Sequence, residues 1–241
     1  YKGGRTEAGK RAALGHTASL TSSVAIFEGV CRQANTIQVE SLEEMVDVLV
    51  ALRFASPLPG GRGVALAGAG GGPAVLASDE IEKAGLELPR LSSEVQAEMM
   101  EHLPVAGSGF SNPVDTPNLA TPEAIAAALR ILGRAPEIDI ILYHLGFHPI
   151  SRWGFGRFSS EAFLEPLIDS IAEVRKASGK PVLMALRPPL EPEGVTEFLA
   201  TQAALVREGT PVFHSLGAAA KAMSRVVPWG QARSPSRSPS R

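Results

Sequence analysis

From about residue 60 onward the chain repeats one hydrophobic rhythm: a short, almost uninterrupted apolar run, a loop, then a longer segment with apolar residues every three or four positions. Uninterrupted runs suit strands buried on both faces, and the periodic segments suit helices laid over them, the pattern of a parallel sheet. Strands are expected at 64–67, near 86–88, and at 138–143, 182–186 and 212–213. Helices are expected at about 73–84, 92–103, 122–132, 160–178, 192–207 and 216–226. Five strands in this alternation predict an α/β fold of the flavodoxin-like doubly wound type, whose ligands lie beyond the carboxyl ends of the strands.

A different unit precedes it. Residues 5–54 read as helix or loop, helix, strand, helix, with Val24, Phe27 and Cys31 at helical spacing and 36–39 alternating as a short strand. Ser41 with Glu44 three residues later makes a capping box for a helix running to about Ala55. Pro57-Leu58-Pro59-Gly60-Gly61 is the best domain linker in the chain. It separates an incomplete unit, residues 1–56, from a complete domain, residues 60–228. Residues 229–241 are expected to be a disordered tail, because a Ser/Pro/Arg repeat fills most of them. The opening Tyr1-Lys2-Gly3-Gly4 looks like the end of a strand, so the N-terminus reads as a cut edge.

Composition narrows the function classes. With 241 residues, 44% of them hydrophobic and 20% charged, the chain can bury a real core. A formal net charge of -2 gives no electrostatic reason to expect nucleic acid or an anionic membrane. Cys31 is the sole cysteine and forms no internal disulfide, which fits a reducing compartment. No apolar run approaches the ~20 residues that span a bilayer. A cytoplasmic protein is expected.

Three constellations carry candidate chemistry. The first strand leads into Gly68-Ala69-Gly70-Gly71-Gly72-Pro73 and then directly into a helix. Free N–H groups at a helix N-terminus carry partial positive charge, and glycine lets an anion approach the backbone, so this turn is a candidate anion site. A tight turn without ligand is the plainer alternative. Asn112-Pro113-Val114-Asp115 lies in a polar loop expected at the same sheet edge. Asn before proline is expected to be extended, and Asn112 and Asp115 either tie down the loop or meet a ligand. The third is Gly15-His16-Thr17-Ala18-Ser19-Leu20, a histidine between small residues and placed for exposure. Neutral imidazole is a competent nucleophile toward phosphoryl groups, although a lone loop histidine is more often structural.

Taken in order, Gly4-Arg5-Thr6-Glu7-Ala8-Gly9 with the His16 segment downstream, the glycine turn, and Asn-Pro-Val-Asp resemble the nucleoside-diphosphate-forming acyl-CoA synthetases, the family of succinyl-CoA synthetase and ADP-forming acetyl-CoA synthetase. The resemblance runs from about Tyr1 to Pro228. It implies that residues 1–56 are the C-terminal part of a second, flavodoxin-like domain that bears the phosphohistidine. His16 matches the catalytic histidine, with Gly15 and Thr17 flanking its loop. Gly70, Gly71 and Gly72 then match one of two helix N-termini that stabilise the phosphorylated imidazole. The family commonly has asparagine near Gly68 and glycine at Ala18, and this chain departs at both positions.

The resemblance further implies ATP or ADP, magnesium and CoA as ligands of the complete enzyme, none of them held by this portion alone. Implied partners are an ATP-grasp domain or subunit, a CoA-binding Rossmann domain and a small carboxylic acid or acyl-CoA, with oligomerisation expected. This portion by itself is expected not to turn over. A regulatory or scaffold module of the same fold is the main alternative; an electron carrier is weaker, because aromatic residues are only 5% of the chain. His144 and His148, with Arg152, should follow the strand at 138–143 and sit at its carboxyl end, more suited to a loop contact or interface than to a metal. No metal site is expected. Trp153, Phe155 and Phe158 read as an aromatic loop.

Overall fold

The computed structural model describes residues 1–16, 23–116, 121–146 and 161–233. In chain order these form α1 (Glu7–His16), α2 (Val24–Gln33), α3 (Leu42–Phe54), β1 (Val64–Gly68), α4 (Gly71–Lys83), α5 (Ser93–His102), β2 (Val114–Asp115) and α6 (Pro122–Arg134). There follow β3 (Ile140–Gly146), α7 (Glu161–Ser178), β4 (Val182–Arg187), α8 (Val195–Arg207), β5 (Val212–Phe213) and α9 (Leu216–Arg233).

All strand pairs are parallel, in the order β2-β1-β3-β4-β5, the flavodoxin-like arrangement expected from the apolar rhythm. Alternation within each strand divides the core in two. Ala65, Ala67, Ile141, Tyr143, Val182 and Met184 face α5, α6, α7 and α8. Val64, Leu66, Ile140, Leu142, Leu183 and Ala185 face α4 and α9. With this order the β1→β2 and β3→β4 crossovers run to opposite sides, which makes the carboxyl ends of β1 and β3 the switch point where sheets of this type take ligands.

The N-terminal region meets this domain through α3. Val48 and Ala51 enter the core on the α4/α9 side. The Ser41 hydroxyl accepts the Glu44 N–H at 3.0 Å, and the Glu44 carboxylate accepts the Glu40 N–H at 2.7 Å, closing the N-terminus of α3 much as the capping pattern predicts. That same carboxylate, although buried, takes Arg225 Nε at 2.9 Å and Lys221 Nζ at 3.2 Å from α9.

Three expectations for elements change. Residues 86–88 form no strand: Glu87 makes an isolated bridge to Gly63, and the edge position belongs to Val114–Asp115, within the segment read as a polar loop. Residues 36–39 form no ladder, so the alternation there serves burial of Val39 rather than strand pairing. Finally, α9 does not stop before Pro228 but continues to Arg233. Its last turns are held from outside, with Trp229 Nε1 donating to the Asn35 carbonyl and Gln231 Nε2 to the Gly60 carbonyl, both at 2.9 Å. Residues 229–233 therefore belong to a helix, not to a tail, and 234–241 lie outside the described residues.

Candidate functional site

The glycine loop and the Asn-Pro-Val-Asp segment meet at the carboxyl end of β1. Register pairs Gly68 with Asp115, and the Asp115 carboxylate accepts the Gly70 N–H at 2.9 Å. Gly70 has φ 114°, a backbone state that a Cβ would strain. At Gly71 a Cβ would stand 2.9 Å from Asp115 Oδ2, so a side chain there would displace the carboxylate. The three glycines are thus not equivalent. Gly70 has spent its donor on Asp115, whereas the N–H groups of Gly71 and Gly72 have no acceptor among the described residues. They open α4 and point their donors out of its N-terminus, the arrangement that favours an anion.

Asn112 does a different task. Its Oδ1 accepts the Leu66 N–H at 3.0 Å, while Nδ2 donates to the carbonyls of Val64 at 2.8 Å and Pro89 at 2.9 Å. The side-chain amide thus completes the β1 ladder where the two-residue strand β2 is too short to reach. Its φ of 77° departs from the extended conformation expected of a residue before proline. Asparagine tolerates the left-handed region, and three hydrogen bonds hold it there.

His16 is the last residue of α1, rather than a loop residue leading into a helix, and it is exposed as expected. Gly15 precedes it, also exposed; Thr17 lies outside the described residues. Arg5, in the segment before α1, is tied to Glu28 on α2 at 2.8 Å. The structure brings Asp115, Asn112 and the glycine loop together; His16 makes no hydrogen bond to any of them.

His144 was expected just beyond the strand, in a loop. Instead it lies inside β3, 2% exposed, in register with Gly68 on one side and Ala185 on the other. Burial, with a smaller contribution from the nearby Arg187 charge, lowers its pKa to about 4. His148, Arg152, Trp153, Phe155 and Phe158 lie outside the described residues. Arg187, the last residue of β4, escaped the sequence reading; the signal available was a cation closing an apolar strand just before Pro188-Pro189. Among the other histidines, His102 ends α5, and His214 contacts Gln202 Oε1 at 2.8 Å.

No helix among the described residues is long and apolar enough to cross a membrane. A family model described as the succinyl-CoA ligase like flavodoxin domain matches residues 1–52. The alpha subunit of acetate–CoA ligase [ADP-forming] II from Pyrococcus furiosus is 34% identical over 182 residues, covering 76% of this chain and 38% of that protein. The corresponding alpha subunit of acetate–CoA ligase [ADP-forming] I from the same organism is 27% identical over 234 residues, covering 95% of this chain and 46% of that protein. Among solved structures, the dinucleotide-forming acetyl-coenzyme A synthetase 1 of Ca. Korarchaeum cryptofilum, in complex with phosphate and ADP, superposes with a TM-score of 0.74 at 25% identity. That match covers 97% of this chain and 47% of the other. The chain spans less than half the length of each of these relatives. Shared sequence along most of the chain and a shared fold relate it to the nucleoside-diphosphate-forming acyl-CoA synthetases, of which it resembles a part.

Proposed function

We propose that this chain supplies the phosphate-carrying histidine and one phosphate-binding helix N-terminus to a synthetase that interconverts carboxylic acid, CoA and ATP with acyl-CoA, ADP and phosphate. His16 is the carrier. An imidazole nitrogen attacks the γ-phosphorus of ATP as the bond to the ADP oxygen breaks; the phosphoryl group then passes to a carboxylate oxygen, breaking the N–P bond. The CoA sulfur attacks the resulting acyl phosphate, losing its proton and expelling inorganic phosphate. Gly71 and Gly72 donate backbone N–H groups to the phosphoryl oxygens, Gly15 and Thr17 flank the carrier, and Asn112 and Asp115 hold the loop.

The observation that supports this most is the pair of unclaimed N–H groups at the start of α4, opening the helix that the family resemblance assigns to phosphate. Residues 1–56 act as the C-terminal part of the histidine-bearing domain and 60–228 as the CoA-ligase domain. An ATP-grasp domain or subunit and a CoA-binding Rossmann domain complete the enzyme, in an oligomeric assembly in the cytoplasm. Magnesium is expected with the nucleotide; among the described residues no group of three His, Cys, Asp or Glu side chains is arranged to hold a metal.

One observation favours a second reading, a regulatory module of the same fold: the Asp115 carboxylate adds negative charge where phosphate is to sit. The two are separated by incubating the native assembly with ATP and magnesium and mapping acid-labile, alkali-stable phosphate by mass spectrometry. Phosphate on His16, absent in His16→Ala and discharged by CoA plus a carboxylic acid, is the expected result. An unphosphorylated His16 in a folded assembly with a competent nucleotide module overturns the catalytic reading in favour of the regulatory one.

A further inference from the structure

At the level of the switch point, register aligns one residue from each strand: Asp115, Gly68, His144, Ala185 and Phe213. Side chains at the same level of a parallel sheet share a face, here the α4/α9 face, and Arg187 follows Ala185 by two residues on that face. His144 is flanked by the two smallest side chains in the row. A Cβ at Gly68 would stand 2.3 Å from His144 Cδ2 and 2.4 Å from Nε2, so the ring lies directly against the strand end that runs into the glycine loop. Asp115, the acidic member of the row, is already held by the Gly70 N–H.

Two polar atoms in this neighbourhood are buried and have no hydrogen-bond partner among the described residues: His144 Nδ1 and Arg187 Nε. Arg187 is half-buried and forms no ion pair among the described residues, although burial disfavours its charge. A buried histidine kept only for packing ordinarily gives its ring nitrogens to a carbonyl or carboxylate, and a buried guanidinium is ordinarily matched by an acid. Among the described residues neither happens, and both groups lie toward the carboxyl ends of their strands, with the His144 ring against Gly68 where β1 runs into the glycine loop.

We propose that His144 and Arg187 form an oxyanion subsite at the carboxyl ends of β3 and β4, receiving a carboxylate or phosphate group of a ligand that lies over Gly68. The guanidinium supplies charge and directed N–H donors, which suit the planar spread of such oxygens. The imidazole, kept neutral by its burial, supplies a single N–H without adding a second full charge. The subsite deepens the synthetase reading by adding a charged contact for a reactant beyond the helix N-terminus, but its existence does not depend on phosphorylation of His16.

The test therefore avoids turnover. The native assembly carrying His16→Ala is titrated calorimetrically, without nucleotide, in one arm with inorganic phosphate and in the other with acetate and then succinate. Arg187→Gln in the same background should weaken the anion that binds by at least tenfold, and Arg187→Lys by less. A response confined to the phosphate arm identifies phosphate as the ligand; one confined to the carboxylates identifies the acid substrate. His144→Asn should weaken the same anion, with circular dichroism checking its fold, and the Arg187 variants carry the decision if that variant unfolds. Absence of binding in both arms, or an affinity in Arg187→Gln within twofold of the parent, overturns the subsite. Failure to phosphorylate His16 in the earlier experiment would leave this result standing.

Discussion

Asn112 shows how much one side chain can carry at a sheet edge. Its amide pairs with a donor and an acceptor on β1 and with a third backbone group, the Pro89 carbonyl, all partly buried. Truncation leaves those three backbone groups without partners, and a buried unsatisfied group costs about 1–3 kcal/mol. Asn112→Ala should therefore destabilise the chain by about 2–4 kcal/mol, read as a lowered midpoint in urea unfolding. Asn112→Asp should do comparable harm, because it keeps the acceptor for Leu66 but loses both donated bonds. Asp115 differs: its link to Gly70 is exposed, and Asp115→Asn retains an acceptor oxygen, so stability should fall by less than about 1 kcal/mol. The glycine at 68 is the third such position. In Gly68→Ala the new methyl collides with the His144 ring, and overpacking of that kind costs about 1–3 kcal/mol; adding His144→Ala should recover part of the loss in a double-mutant cycle.

Between elements, the contact of α3 with α9 is closed by charge. Glu44 is buried, and burial by itself raises its pKa; the Glu40 N–H, Arg225 and Lys221 outweigh that and hold it below the ordinary 4.5. A depressed folded-state pKa means that the ionised form contributes stability above about pH 4.5, and that this contribution fades as the pH falls through the folded value. Because both cations are substantially exposed, screening limits the effect, and Glu44→Gln should cost about 1–2 kcal/mol at pH 7. Urea midpoints of parent and variant should converge as the pH falls through the lowered folded-state value; a gap that stays constant would mean that the carboxylate acts by shape alone. The same element scale shows what the sequence made legible. Strands β1, β3, β4 and β5 were readable because each is a local apolar run, and α3 because Ser41 and Glu44 form a local cap. Strand β2 was not, since Val114–Asp115 offers a single apolar residue in a polar segment and its edge is completed by the side chain of Asn112. Helix α9 outruns Pro228 because Asn35 and Gly60, distant in sequence, hold its end. His16, the glycine turn and the Asn-Pro-Val-Asp segment could be found as motifs, whereas the pairing of His144 with Arg187 emerges only from strand register and burial, neither of which one segment contains.

Across the whole molecule, the N-terminal region is apolar where it meets water. Helix α1 buries no residue and leaves Leu14 exposed, α2 exposes Ile26 and Val30, and α3 exposes Leu42, Val46 and Leu49. The last three recur at i, i+4 and i+7, which places them on one stripe opposite the face that Val48 and Ala51 bury. A groove of about 340 Å³ continues this surface, lined by Ile37, Met45, Leu52 and Trp229 among others. Apolar surface of this kind drives association. The chain expressed by itself should therefore self-associate in a concentration-dependent way, with sedimentation velocity showing species heavier than the 25.3 kDa monomer. Replacing Val46 and Leu49 together by glutamate puts two charges into the stripe while leaving the buried face of α3 intact. The double variant should sediment closer to the monomer and keep the circular dichroism of the parent. If it associates as strongly as the parent, the contact lies elsewhere, and Ile26 and Val30 on α2 become the positions to charge next.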